Sequence, residues 1–177
     1  SRQAVAAMKR ESQDWFEAVF QAHWPRLFAV LYRLVGDADE AQDLESEAFW
    51  RLYQHPPADR SPAVLGGWLY RTGTRLGLNA LRSSQRRQRY EKHAGQMHLQ
   101  ERASSDPAVQ VEQIQEQARV HQALSKMKPR TVQLLVLRHS GLSYAEVAQV
   151  LGVSTGSVGT LLVRAEAEFE QRYREAA

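Results

Sequence analysis

A single predicted helix near the middle of the chain carries aromatic, basic and amide side chains along one side. At about 100° of rotation per residue they fall within an arc of about 80°, with small and apolar residues opposite. The residues of this basic stripe are Trp68, Arg71, Arg75, Asn79, Arg82 and Arg86. Guanidinium groups neutralise phosphates, while an indole and an amide stack on bases or hydrogen-bond to them. The stripe therefore indicates a nucleic-acid surface, and a solvated charged helix face is the alternative.

A second predicted helix combines carboxylates with an aromatic residue. Asp39, Asp43 and Glu47 share an arc of about 80°, and Trp50 projects from its middle, opposite an apolar stripe. Because large aromatic side chains concentrate in the cores of interfaces, this acidic face indicates docking on a basic protein surface. Two alternatives are a solvated face with Trp50 turned into the core and a magnesium site. The magnesium site is disfavoured because side chains on a convex helix do not converge on one ion.

The C-terminal segment has the pattern of a helix-turn-helix. Ser143 and Glu146 predict a capping box, Gly152 supplies the turn and Ser154 caps the next helix. The expected reading face consists of Ser157, Thr160, Val163 and Arg164. It brings one positive charge, and glutamates follow at positions 166, 168 and 170. Because phosphate contacts normally dominate affinity, we expect this helix to bind DNA weakly by itself.

No set of residues in the sequence predicts catalysis. The six histidines are scattered, without the spacing of metal ligands and without a nucleophile nearby. The absence of cysteine excludes disulfides and thiolate metal sites. We therefore expect no enzymatic activity, no metal and no cofactor.

Length and charge set further bounds. A chain of 177 residues is long enough for one domain or two small ones. The net charge of +3 conceals an acidic segment at 37–47 and a basic one at 82–92, so partners of both signs are expected. No apolar run approaches the roughly 20 residues that cross a bilayer, and residues 1–13 lack a signal-peptide core. A cytosolic protein without membrane contact is the expectation.

Apolar spacing is helical almost throughout, so we expect an all-α fold. A first short helix holds Trp15, and Pro25 should interrupt it before a second segment that ends at Gly36. Asp37 can then cap the acidic helix, with Glu40 three residues on. Residues 55–67, rich in proline and glycine, predict a loop before the basic-stripe helix, which should run to about residue 87.

The composition predicts two domains. Residues 88–117 hold few large apolar side chains, which is typical of a flexible linker that is helical only near its ends. Helical patterns return beyond it. We expect two small helical domains, 12–87 and 118–175, joined by this linker.

This order of parts resembles the extracytoplasmic-function (ECF) group of sigma-70 family RNA polymerase sigma factors, from about Trp15 to Arg172. Three motifs occur in the family's order. The matching segments are Gly36–Leu44 with Glu47–Phe49, then Gly67–Arg71, and finally Leu137–His139 with Gly141–Ala148.

The resemblance implies a role for each part of residues 12–87, which correspond to sigma region 2. The acidic helix would dock on the clamp helices of the polymerase largest subunit. Its contact residues would be Asp39, Glu40, Asp43, Glu47 and Trp50. The basic stripe would melt and hold the minus-ten promoter element, and the loop near Arg60 to Leu65 would pocket a flipped base. Arg75 stands where the family often has asparagine.

Residues 118–175 correspond to region 4, which would read the minus-thirty-five element and meet the flap of the second-largest subunit. The residues implied on DNA are Ser154, Thr155, Ser157, Thr160 and Arg164. The family commonly has arginines where this chain has Gly159, Leu161 and Glu166, so we expect weak or altered upstream binding. Family members are often held inactive by an anti-sigma protein wedged between the two domains.

The sequence favours one function over two alternatives. The main hypothesis is a sigma factor that binds core RNA polymerase and directs promoter recognition and opening. The first alternative is a sigma-like adaptor that docks on polymerase but has lost ordinary minus-thirty-five reading. The second is a metal-dependent nuclease that uses Asp39, Asp43 and Glu47.

Overall fold

A computed structural model describes residues 2–95 and 107–176, with side chains from residue 13 onward. Those residues form α-helices joined by short turns, without a strand, which confirms the all-α class. In chain order the helices are α1 Arg2–Val35, α2 Ala38–Gln54, α3 Pro62–Ala94, α4 Pro107–Lys126, α5 Pro129–His139, α6 Tyr144–Leu151 and α7 Thr155–Glu175.

Helices α1, α2 and α3 pack on one another as a first bundle. Its core is aliphatic, and Leu27, Leu34 and Leu69 are fully buried there. Gly73 and Gly77 let α3 lie directly against α1. A Cβ atom at Gly73 would lie 2.6 Å from Leu27 Cδ1, and one at Gly77 would lie 2.6 Å from Leu34 Cδ1. Small residues at these positions therefore set how closely the two helices approach.

Pro25 does not interrupt the first helix, contrary to the sequence-based expectation. Helix α1 is continuous from Arg2 to Val35 with Pro25 inside it. Proline costs a helix one backbone hydrogen bond and a steric clash. Val19 and Leu27, on either side of it, are both buried in the same core. Burial on both sides outweighs the local preference of proline.

The junctions around α2 and α3 follow local signals only in part. Gly36 ends α1 with a φ of +71°, and Asp37 caps α2 by accepting a hydrogen bond from the Glu40 amide at 2.8 Å. The predicted loop at 55–67 is shorter than expected, because α3 begins at Pro62. Proline suits the first helical turn, where its missing N–H has no partner to lose. Helix α3 also extends beyond residue 87, to Ala94.

Helices α4 to α7 form the second bundle, which contains the predicted helix-turn-helix. The capping box of Ser143 and Glu146 is present, and Gly152 ends α6 with a φ of +66°. The two helices of the motif meet at 88°. Ser154 holds the N-cap position of α7, but its hydroxyl shares a hydrogen bond with the Ser157 hydroxyl instead of capping the backbone.

The two bundles pack against each other, and their buried residues form one contiguous hydrophobic cluster. The expected linker, 88–117, is helical at both ends, where α3 runs on to Ala94 and α4 starts at Pro107. Its centre, residues 96–106, lies outside the described residues.

No single helix within 2–95 and 107–176 is long and apolar enough to cross a membrane. The bent pair α6 and α7 meets that test jointly by length and composition. Its main apolar side chains, among them Val147, Val150 and Val158, are buried in the core of the second bundle.

Candidate nucleic-acid and protein interfaces

The basic stripe lies on the surface of α3, as its spacing predicts. Arg71, Arg75, Asn79 and Arg86 are exposed, and Arg82 is half-buried. Trp68 differs from the expectation of a fully outward indole: it is half-buried and packs against the core of the first bundle. One edge of the ring is therefore anchored, and the four exposed side chains form the solvent-facing part of the stripe.

A polar cleft of about 430 Å³ continues the stripe toward the C-terminal end of α3. Its lining residues are Asn79, Arg82, Gln85, Arg86, Arg89 and Ser125. Three guanidinium groups converge there without a carboxylate among the lining residues. Such a concentration of positive charge suits the phosphates of a nucleic-acid strand.

The segment from Arg60 to Leu65 is not the loop that the family resemblance implied. Only Arg60 and Ser61 precede the helix, because α3 starts at Pro62. Arg60 is exposed, and its guanidinium carbon lies 4.9 Å from the centre of the Trp15 ring. A cation over an aromatic face is attracted by the ring quadrupole, so Arg60 is held beside α1 instead of joining the basic stripe.

The acidic face of α2 presents its aromatic residue to solvent. Trp50 is 53% exposed, so the alternative in which it turns into the core is wrong for this structure. Asp39 and Asp43 are exposed, and Glu40 and Glu47 are half-buried. The indole therefore stands among carboxylates on a convex surface.

Two exposed aromatic residues of the first bundle were missed by the sequence reasoning. Tyr53 stacks on Trp50 with ring centres 6.0 Å apart, and Trp24 stacks on Phe20 at 6.5 Å. Tyr53 and Trp24 are each 44% exposed. The signal in the sequence is the spacing of four between Phe16, Phe20 and Trp24, which places them along one side of α1.

Glu45 lies on the opposite, core-facing side of α2. It is 9% exposed, and its Oε1 atom has no hydrogen-bond partner. Burial raises the pKa of Glu45 from 4.5 to about 7, because an ionised carboxylate loses its hydration there. The sequence gives little sign of this residue, which sits among the other glutamates of α2.

A polar pair inside the first bundle connects α1 to α3. His23 Nδ1 and the Tyr70 hydroxyl are joined by a hydrogen bond of 3.2 Å. Burial lowers the pKa of His23, with a further contribution from the nearby Arg26 guanidinium, and burial raises the pKa of Tyr70 to about 12. Both groups are therefore held neutral near pH 7.

The reading face of the helix-turn-helix is accessible but carries little charge. Ser154, Thr155, Thr160 and Arg164 are exposed, and Ser157 is half-buried. Val163, on the same side, is 67% exposed. Glu166 is also on the surface, and its Oε1 lies 3.7 Å from His139 Nε2. One cation next to a glutamate offers little attraction for phosphates.

Within the described residues, no three histidine, aspartate or glutamate side chains come together as a metal site would require. The carboxylates of the acidic face point along α2 instead of converging. This arrangement gives no support to the nuclease alternative.

The comparisons with known proteins agree with this layout. Residues 19–87 match the family model "Sigma-70 region 2", and residues 117–169 match "Sigma-70, region 4". The chain is 27% identical to RNA polymerase sigma-H factor of Pseudomonas aeruginosa over 96% of this chain and 92% of that protein. It is 33% identical to ECF RNA polymerase sigma factor SigE of Mycolicibacterium smegmatis over 85% of this chain, and spans 58% of that longer protein.

A solved structure of the sigma factor RpoE in complex with the anti-sigma factor NepR, from Bartonella quintana, covers 95% of this chain and 97% of its own. The identity is 18% and the TM-score is 0.42, too low to transfer the arrangement of its domains. The two family models occur in the same order as the two helical bundles. The chain therefore belongs to the ECF group of the sigma-70 family, transcription initiation factors that direct RNA polymerase to promoters.

Proposed function

We propose that this chain divides its work between two faces of the first bundle. The acidic face of α2 docks on the clamp helices of the polymerase largest subunit, and the basic stripe of α3 holds the minus-ten strand. The observation that carries the proposal is the pairing of two oppositely charged surfaces on adjacent helices, each with a tryptophan. One rigid bundle then connects polymerase to DNA without any catalytic residue.

The acidic face has the composition of a docking surface for a basic helix. Trp50 supplies exposed apolar area at its centre, and Asp39 and Asp43 supply exposed charge beside it. Aromatic residues surrounded by polar groups carry most of the binding energy at many interfaces. Charges around the rim steer association and select a basic partner.

The basic stripe supports strand separation by capturing an unpaired strand. Arg71, Arg75 and Arg86 offer charge for phosphates, and Asn79 offers an amide for base edges. Contacts to a flipped base compensate the few kcal/mol of stacking lost when the duplex opens. Opening then needs no ATP hydrolysis.

Region 4 contributes less to DNA affinity in this proposal. With Arg164 as the one cation among the five residues that the resemblance implies on DNA, region 4 reads the minus-thirty-five element weakly and relies on polymerase, through the flap, for its position. Val163 and Glu166, both exposed on α7, also favour the second candidate function, an adaptor that docks on polymerase without ordinary upstream reading.

A groove between the two bundles suits an inhibitory partner such as an anti-sigma protein. It encloses about 980 Å³ beside α1, α4, α5 and α7. Tyr32, Val120, Leu135 and Phe169 give it apolar walls. A helix of an inhibitor with an apolar side fits a groove of this kind. In this proposal the chain meets both the inhibitor and the polymerase in the cytoplasm.

In vitro transcription with purified core polymerase tests the division of labour. Trp50→Ala should weaken binding to core enzyme. Arg75→Ala should leave that binding unchanged and reduce promoter opening, which permanganate footprinting measures. Tyr32→Ala and Arg174→Ala are matched controls, because they remove an exposed aromatic or an exposed arginine elsewhere. If Trp50→Ala and Arg75→Ala fail at the same step, the two faces do not have separate roles. Normal opening without an upstream element would support the adaptor.

A further inference from the structure

Val163 is an apolar side chain on the outer side of α7, the second helix of the helix-turn-helix. It is 67% exposed, more than any other valine, leucine or isoleucine within 13–95 and 107–176. Single exposed apolar residues are ordinary on protein surfaces. Val163 differs in its place, because exposed Thr160 lies between it and exposed Arg164 on the helix surface, all within an arc of about 100°. This is the side that the proposed function turns toward DNA.

The opposite side of α7 fixes the orientation of Val163. Val158 and Ala165 are almost fully buried there, and Leu162 is 8% exposed. These three residues lie about 100° to 160° around the helix from Val163. Because they pack in the core of the second bundle, α7 cannot rotate to bury Val163 without exposing them. The outward position of Val163 is therefore a property of the fold.

The polar residues near Val163 offer little for reading the hydrogen-bonding groups of bases. The Ser157 hydroxyl lies 2.6 Å from the Ser154 hydroxyl, so these two groups already share a hydrogen bond. Arg164 is a donor without an acceptor, which suits a phosphate or guanine. The residues that the resemblance implies on DNA include no amide and no carboxylate, the groups that identify adenine and cytosine.

Thymine is the base that an aliphatic side chain can identify in the major groove. It presents its C5 methyl group there, whereas cytosine presents an amino group. Valine packs against a methyl group, but it covers an amino group without giving it an acceptor, and an unpaired donor costs free energy. Thr160, one turn nearer the start of α7, carries a second methyl group on the same side. Val163 and Thr160 together therefore suit one or two neighbouring thymines.

We propose that region 4 of this chain selects thymine in the minus-thirty-five element, through contacts of Val163 and Thr160 with C5 methyl groups. Arg164 binds an adjacent phosphate. This inference rests on the proposed function and names the base that its upstream reading prefers. Apolar contacts add selectivity without adding charge, which agrees with a reading face that carries one cation.

The test uses the holoenzyme and promoter duplexes with a constant minus-ten element and a randomised upstream segment. The duplexes that are bound and opened should be enriched in thymine at one or two neighbouring upstream positions. Replacing such a thymine by deoxyuridine removes only the methyl group. This change should weaken binding about fourfold, which corresponds to the burial of one carbon atom. Val163→Ala should bind the thymine duplex more weakly and should lose most of the response to deoxyuridine.

Val111→Ala is the matched control, because it makes the same substitution at an exposed valine of α4 and should keep the wild-type response. Equal losses on deoxyuridine for wild type and Val163→Ala overturn the inference, and so does a selection without thymine enrichment. If the holoenzyme opens promoters whatever their upstream sequence, the proposed initiation function stands and the inference alone fails. If it opens none, the proposed function fails and the inference fails with it.

Discussion

Replacing Glu45 by glutamine should make the protein more stable at alkaline pH and leave its stability in acid nearly unchanged. Burial raises the pKa of this carboxyl from 4.5 to about 7. At 1.36 kcal/mol for each pKa unit, ionising Glu45 in the folded state costs up to about 3 kcal/mol relative to the unfolded state. For a domain of ordinary stability this is a large fraction of the total.

The pH window follows from the direction of this change. Between pH 4.5 and about 7 the unfolded chain gives up the Glu45 proton more readily than the folded chain. The free energy of unfolding of wild type therefore falls as pH rises through this window, and the Glu45 contribution is constant on either side. Glutamine does not titrate, so the variant should lack this component and gain up to about 3 kcal/mol near pH 8.

Urea unfolding, followed by circular dichroism at several pH values, measures the difference between the two proteins. Subtracting the curves removes the contribution of other groups that titrate in the same range. Glu17→Gln, which makes the same substitution at an exposed position of α1, is the matched control. If the wild-type and Glu45→Gln curves run parallel from pH 4.5 to 7, Glu45 is not held neutral by burial and the reasoning is refuted.

Three further predictions address packing, charge and acid stability. Gly77→Ala should lower the stability of the protein by about 1–2 kcal/mol in thermal unfolding, because the new Cβ atom would lie 2.6 Å from a side-chain atom of the buried Leu34. Gly156→Ala is the control: a Cβ atom there would have no neighbour within 4 Å, so this variant should be slightly more stable. Equal effects of the two substitutions would refute the tight contact at Gly77. Glu166→Arg should strengthen binding of the holoenzyme to upstream duplex at low salt, and unchanged binding would show that charge does not limit region 4. Burial lowers the pKa of His23, so its contribution to stability is present above pH 6.5, its ordinary pKa, and is lost as pH falls through the lowered pKa. His23→Gln should therefore reduce the loss of stability over this pH range in urea unfolding. An unaltered loss would exclude His23 as its source.

Local signals in the sequence were sufficient to predict helix starts, where the structure depends on residues within a single helical turn. Asp37 and the Ser143–Glu146 pair cap the helices that they were expected to cap, because an N-cap side chain bonds to an amide only two or three residues away. The opposite sides of α2 and α3 could likewise be assigned from spacing alone, which depends only on the rotation per residue.

Local sequence signals predicted helix ends wrongly where packing against distant residues competes with the local backbone preference. Pro25 lies inside α1, and Gly66 lies inside α3 where a Cβ would come within 3.2 Å of the His23 ring. The hydrogen bond of 3.3 Å that Arg71 Nη1 donates to the Val150 carbonyl oxygen of α6 was beyond prediction for another reason. Its acceptor is a main-chain carbonyl oxygen, which every residue possesses, so no residue type marks the partner.

Sigma regions 2 and 4 match two separate family models, as independent modules would. In this chain the two bundles pack against each other, and Arg26, Thr74 and Arg71 of the first bundle each contact a specific atom of the second, so that one module cannot be exchanged without affecting the other. A chimera that joins this region 2 to the region 4 of a relative would keep the acidic face and the basic stripe but lose these contacts between the bundles. Such hybrids would differ from their parents first in how well the two bundles pack, and only afterwards in which promoters they serve.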